Sequence, residues 1–261
     1  RREARNIIDC RWVHKWKFDQ QTQSAGDSVN VAATVRKIIR SCLCLRGLKD
    51  LDKDTLAKYA GTSQRHSQRL LCSEAVIRRW DIATTDISKA FLQGVTYKEL
   101  AELTGEPLRE VNFDLPSYCI PFLQRIPGFE NCDPVKEVLH CDKPGAGCND
   151  APRCFSLKLS KVTKDLCGMR QCSVDNELCF LHAKDADDVS QRTRPAADST
   201  GKPPLRELLA MMAKHVDDLK FTGNRDTILF LLDVIEKVFR KLKIEWANFT
   251  NCGARHRQDP V

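Results

Sequence analysis

The stretch Leu208-Leu209-Ala210-Met211-Met212-Ala213-Lys214-His215-Val216-Asp217-Asp218-Leu219-Lys220-Phe221-Thr222 sets two strand-like runs, Leu208 to Met212 and Leu219 to Thr222, on either side of a short acidic turn. That arrangement predicts a tight antiparallel hairpin with two adjacent carboxylates at its tip. At roughly 4 Å and an effective dielectric near 20, two such charges repel by about 4 kcal/mol, and a divalent cation between them reverses the sign. The pair therefore suggests a Mg²⁺ site. The competing reading is a solvated Asp-Asp turn, since Asp favours turns through its local backbone hydrogen bonds.

Working outward, each flank supplies a regular element. Towards the C-terminus, Asn224 is the expected cap of an amphipathic helix with Ile228, Leu231, Leu232, Ile235, Val238, Phe239 and Leu242 on one face. Its last turns carry Lys237, Arg240, Lys241 and Lys243, favourable at the negative end of a helix. Upstream, residues 183 to 204 hold almost nothing apolar and cannot offset their ordering entropy by burial, so 183–206 reads as a disordered polar insertion. A strand is expected over Leu178 to His182. Before it, a helix capped by Asn149 or Asp150, with Pro152 in its first turn, is expected to bury Phe155, Leu159, Val162 and Leu166 and to stop at Gly168.

The N-terminal half reads similarly. Residues 10 to 18 alternate, with Trp12, Trp16 and Phe18 on one face and Arg11, Lys15 and Lys17 on the other, predicting a half-buried strand whose tryptophans pack in the core. A polar turn over 19 to 30 leads to a second run, Ile38 to Leu45, interleaved with basic residues, which completes an antiparallel hairpin with cationic edges. Apolar residues including Leu70, Leu71, Ala75 and Val76 predict a helix over 65–79. A strand over Ile82 to Ile87 follows and delivers Asp86 at its end. Thr96 and Glu99 form a capping box for a short helix that Gly105 stops, and Val111, Phe113 and Leu115 alternate as a further strand closed by Pro116. The order of elements predicts an α+β fold in which helices cover one face of an antiparallel sheet.

Composition narrows the partners. The 261 residues are 42% hydrophobic, enough for a substantial core, and a net charge of +7 suits a phosphate-bearing partner. Thirteen cysteines, an odd number with no C-x2-C pair, argue against a disulfide framework and a ribbon-type zinc site, so free thiols in a reducing compartment are expected. Adjacent His140 and Cys141, with Cys148, lack an evident fourth ligand for zinc. No apolar run reaches the length of a membrane span, and the chain begins with Arg1 rather than Met, as a piece of a larger product would.

The run Thr85-Asp86-Ile87-Ser88-Lys89-Ala90-Phe91-Leu92-Gln93-Gly94 resembles the first catalytic motif of copia-type retrotransposon reverse transcriptases, and His215-Val216-Asp217-Asp218 resembles the second, usually Tyr-Val-Asp-Asp. Three further stretches fall in family order: Arg11-Trp12-Val13 with Lys15 and Lys17, Leu43 to Gly47 with Arg46, and Lys143-Pro144, Gly147 and Ala151-Pro152-Arg153. The matches cover about residues 6 to 255.

The resemblance implies an RNA-directed DNA polymerase domain of a retrotransposon polyprotein. Its expected parts are fingers over 1–80, a palm with part of the fingers over 81–182, the insertion at 183–206, and the rest of the palm over 207–261. It implies Asp86, Asp217 and Asp218 as catalytic residues, and these with the Ile87 carbonyl as ligands of two Mg²⁺ ions, or of Mn²⁺. Two-metal nucleotidyl transfer needs little from a protein beyond carboxylates and positioning. Arg40 and Arg46 are implied as contacts to the triphosphate of a deoxynucleotide, with solvated strand-edge arginines as the alternative. Phe91 is implied as a steric gate against a 2′ hydroxyl, with plain core packing as the alternative. His215, Lys15 and Lys17 are implied as contacts to primer and an RNA or DNA template. The remaining polyprotein, ribonuclease H and integrase, lies outside this chain, and an intracellular retroelement particle is the implied setting.

The chain departs from the family at His215 in place of Tyr, at Cys42 where a basic residue is expected, and at Gly145 to Asp150 in place of Leu-Tyr-Gly-Leu-Lys-Gln. These departures keep a second reading open, a decayed copy that binds nucleic acid without catalysis.

Overall fold

The computed structural model describes residues 1–20, 35–183 and 207–259. Residues 21–30 of the expected polar turn and nearly all of the expected insertion at 183–206 lie outside them, while Asp19 and Gln20, expected in the turn, end β1. In chain order the elements are β1 (Ile7–Gln20), β2 (Val35–Leu45), α1 (Arg65–Arg78), β3 (Asp81–Asp86), α2 (Tyr97–Thr104), β4 (Asn112–Asp114) and α3 (Ile120–Leu123). Next come β5 (Leu139–His140), α4 (Ala151–Lys161), β6 (Arg170–Gln171), β7 (Leu178–His182), β8 (Leu208–His215) and β9 (Asp218–Gly223). The order closes with α5 (Arg225–Phe239), β10 (Lys243–Trp246), β11 (Asn248–Asn251) and β12 (Ala254–Arg257). The fold is α+β.

A six-stranded sheet in the order β10-β3-β9-β8-β7-β6 forms the centre, antiparallel at every pairing. Alternate residues of β8 face opposite sides. Ala210 and Met212 join a core with Phe155 and Leu159 of α4 and Leu231 and Ile235 of α5, whereas Met211 and Ala213 pack with Leu71 of α1. Helices thus cover both faces of the sheet, not one as the element order suggested. The cause is visible in β8, which is apolar without alternation from Leu208 to Ala213, the pattern of a strand buried on both sides.

Local signals set the helix ends. The Thr96–Glu99 capping box is complete, and Gly105 ends α2 in the left-handed conformation at φ 72°. Asn224 Oδ1 accepts from the Thr227 N–H at 2.8 Å at the start of α5. Asp150 precedes α4 but makes no side-chain cap; its carboxylate is taken instead by the Arg109 guanidinium, which also binds Asp50 at 2.6 Å. Residues 162–166 continue α4 as a π-helical turn, with the Cys167 N–H reaching back to the Val162 carbonyl at 3.1 Å. The extra residue in that turn swings Leu166 outward to half exposure and buries Cys167, correcting the expectation that Leu166 faces the core. In α1 only Leu71 and Ala75 of the expected apolar face are buried, and Leu70 and Val76 are exposed.

A second sheet, in the order β2-β1-β4-β5, lies N-terminal to the first. Only Ile7 to Asp9 of β1 pair with β4; from Cys10 onward β1 pairs with β2 alone as a long hairpin. That hairpin is exposed on both faces. Trp16 is 61% accessible, Phe18 63% and Ile39 57%, so the tryptophans are not core residues as the alternation suggested. Alternation reports two chemically different faces, and here no element among the described residues buries the aromatic one. Near the C-terminus β11 and β12 form a separate two-stranded hairpin. All thirteen cysteines are free thiols, and among the described residues no helix is long and apolar enough to cross a membrane.

Candidate active site

The hairpin β8–β9 turns through Val216 and Asp217, with His215 and Asp218 directly opposite each other. Val216 adopts φ 58°, a left-handed conformation that a β-branched residue rarely accepts and that concentrates at functional turns. Strand β3 lies beside β9 and ends in register with the turn, so that Asp86 faces Asp218 across the pair. The Ile87 N–H then donates to the Asp217 carbonyl at 3.1 Å, tying the end of one strand to the turn of the other. Thr85 donates its hydroxyl to the Lys243 carbonyl at 3.0 Å and Thr84 to the Leu219 carbonyl at 2.9 Å, which hold β3 between β10 and β9.

Sequence places Asp86 and Asp218 far apart, and the sheet makes them cross-strand neighbours. Like charges directly opposite on adjacent strands are destabilising. Their titration reflects it: burial raises the Asp86 carboxyl above its ordinary value and the Asp217 charge adds to the rise, while Lys17, Arg40 and Lys243 act against it. Asp218 is raised by burial, then by Asp217 and Asp86, with His215 opposing. The Asp217 charge therefore acts on both other carboxylates, and Asp86 acts on Asp218. Among the described residues no three His, Cys, Asp or Glu side chains stand at metal-ligand spacing, this trio included. Hard carboxylate oxygens are the donor type that suits Mg²⁺ or Mn²⁺.

The hairpin β1–β2 presents its basic face to this acidic end. Lys15 pairs with Arg40, and Lys17 with Ile38, on the face opposite the tryptophans. Arg40, an expected triphosphate contact, and Lys17, an expected primer or template contact, both act electrostatically on Asp86. Arg46 is engaged elsewhere, with its guanidinium 2.7 Å from Asp9, which Lys49 also meets at 3.1 Å. Phe91 is half-buried in a short 3₁₀ turn and packs against the main core. His215 is half-buried and forms an isolated bridge with Thr62.

Several residues that shape the site carried no clear signal in sequence. Gly61 to Ser63 run as a strap along the free edge of the turn: the Ser63 N–H donates to the Lys214 carbonyl at 2.8 Å and the Val216 N–H to the Gly61 carbonyl at 3.4 Å. Lys214 and Lys220 are both buried in the sheet. A lysine next to the acidic turn in an otherwise apolar strand was the one visible hint.

No protein-family model matches the chain, and neither does any curated protein.

Proposed function

We propose that this chain is an RNA-directed DNA polymerase domain, with the β1–β2 hairpin acting as part of the fingers and the six-stranded sheet as the palm. The observation that carries the reading is the register that sets Asp86 against Asp218 beside the Asp217 turn. An arrangement of this kind is costly for stability and useful for binding cations.

In this reading Asp86 and Asp217, with Asp218 and the Ile87 carbonyl, hold two Mg²⁺ ions. Bound divalent cations supply Lewis-acid activation of a primer 3′ hydroxyl and neutralise the charge on departing pyrophosphate. The oxygen–phosphorus bond forms at the α-phosphate of a deoxynucleoside triphosphate as the bond to pyrophosphate breaks. Lys17 and Arg40 approach from the hairpin to pair with phosphate oxygens, Arg40 with the bidentate geometry of a guanidinium. Phe91 stands at the sugar and disfavours a 2′ hydroxyl. His215 supports the primer end in place of an aromatic Tyr.

Primer extension on an RNA template with Mg²⁺ tests the reading, with Asp217→Asn as the comparison. Loss of incorporation by ~10³-fold or more is expected in the variant, since a metal-binding carboxylate contributes several kcal/mol to the transition state. A second reading, a catalytically silent nucleic-acid binder, is favoured by the engagement of Arg46 with Asp9. It is the outcome if neither protein incorporates nucleotide while both bind template.

A further inference from the structure

Strand β8 is apolar on both faces, and that leaves its register poorly specified. A strand with one buried face is fixed because a one-residue slip would expose its apolar set, whereas one buried on both sides gains no such discrimination from its hydrophobic pattern. The exception within β8 is Lys214, which is 1% exposed and lies on the same face as Met212 and Ala210. Its Nζ sits 3.0 Å from Glu177 Oε2 and donates to the Ser160 hydroxyl of α4 at 3.1 Å.

The surroundings of this pair are closely fitted. The Lys214 N–H donates to the Glu177 carbonyl at 2.8 Å, so side chain and backbone of Lys214 are both tied to the residue just ahead of β7. The Glu177 side chain lies against Gly61, where a Cβ would fall 1.8 Å from the carboxylate oxygen. Asp175 fastens the same segment to the start of α1, accepting from the Gln64 N–H at 2.9 Å and the Glu177 N–H at 3.0 Å. A slip of β8 by one residue would turn Lys214 towards Leu71 and leave both charges buried without partners, an arrangement far more costly than either paired state.

We propose that the Lys214–Glu177 pair is a register lock that positions the Asp217–Asp218 turn and thereby sets its grip on a divalent cation. The proposal rests on the reading of that turn as a metal site. The left-handed Val216 and the register that sets Asp86 directly against Asp218 both favour a relaxed turn, and the end of β8 is the strand that leads into it. Buried polar side chains that fix strand or helix register rather than add stability are known from other folds.

The test is Mn²⁺ binding to the full chain, measured by titration calorimetry, set beside the melting temperature. In the double variant Lys214→Met with Glu177→Leu, apolar side chains replace the pair, so the melting temperature is expected to hold or rise while Mn²⁺ affinity falls by about tenfold. Wild-type affinity in the folded double variant overturns the positioning role. Should the double variant not fold, Gly61→Ala displaces the Glu177 carboxylate with both charges intact; the same loss supports the proposal and an unchanged affinity overturns it. A wild-type protein that binds no Mn²⁺ overturns the reading of the turn itself, and the lock with it.

Discussion

β8 and β1 are both rich in apolar and basic residues, yet β8 is buried on both sides from Ala210 to Lys214 while β1 from Arg11 to Phe18 is largely exposed on both. The first is enclosed between α1 and the α4–α5 layer; the second has only β2 beside it. Enclosure lets β8 and β9 hold a strained turn and three repelling carboxylates in place. Exposure leaves the hairpin's side chains available to something outside the chain. A held turn and an uncovered surface are thus divided between two sheets.

The comparison breaks if substitutions in the two regions cost the same. Phe155→Ala, in the core shared by α4, α5 and the sheet, is expected to lower stability by about 3–5 kcal/mol in denaturant unfolding. A smaller effect of opposite sign is expected at the turn. Val216→Gly relieves the left-handed strain and should stabilise by roughly 1 kcal/mol, read in the same assay, because the relief exceeds the added entropy of the unfolded chain.

The carboxylates sharpen the contrast through pH. Asp86 and Asp218 hold their protons more tightly in the folded chain than their ordinary value of 3.8 allows. The native state therefore binds more protons than the unfolded one, and these groups cost stability as pH rises past 3.8 through the raised values. Asp218→Asn should match wild type in unfolding free energy at low pH and exceed it at neutral pH, by an amount on the order of 0.5 kcal/mol in denaturant unfolding. Added Mn²⁺ should close that gap by stabilising the wild type alone. A gap independent of pH would refute the electrostatic account.

The smallest stability effect belongs to the hairpin. Trp16→Ala, at a side chain 61% exposed with Lys37 set 4.3 Å over its ring, should change stability by less than about 0.5 kcal/mol. Quenching of tryptophan fluorescence by a single-stranded oligonucleotide, which stacking on this ring would produce, should drop sharply in the variant. Equal quenching would remove the hairpin's aromatic face from the nucleic-acid path.

Much of this was legible in the sequence where the signal is local. The capping box at Thr96, the cap at Asn224, the strand ending in Asp86 and the acidic turn are short patterns whose partners lie within a few residues. The opposite placement of α1 and the α4–α5 layer was not, because a strand apolar on both faces does not say which helix meets which side. The π-helical turn that exposes Leu166 leaves no mark in a 3.6-residue period. The strap at Gly61 to Ser63 has no periodicity at all, and the pairing of Lys214 with Glu177 joins residues on separate elements. For Trp12 and Trp16, alternation identified the face correctly but could not tell whether anything covers it.

Among the described residues β2 forms the open edge of its sheet, with Ile39 exposed between Lys37 and Arg40. An unpaired edge of this length is a template for a strand from a second molecule, and flanking cations are the usual guard against it. The charges proposed to meet phosphate would thus also act as colloidal gatekeepers. At 1 M salt, where screening shortens their reach to about 3 Å, the purified chain is expected to self-associate through this edge.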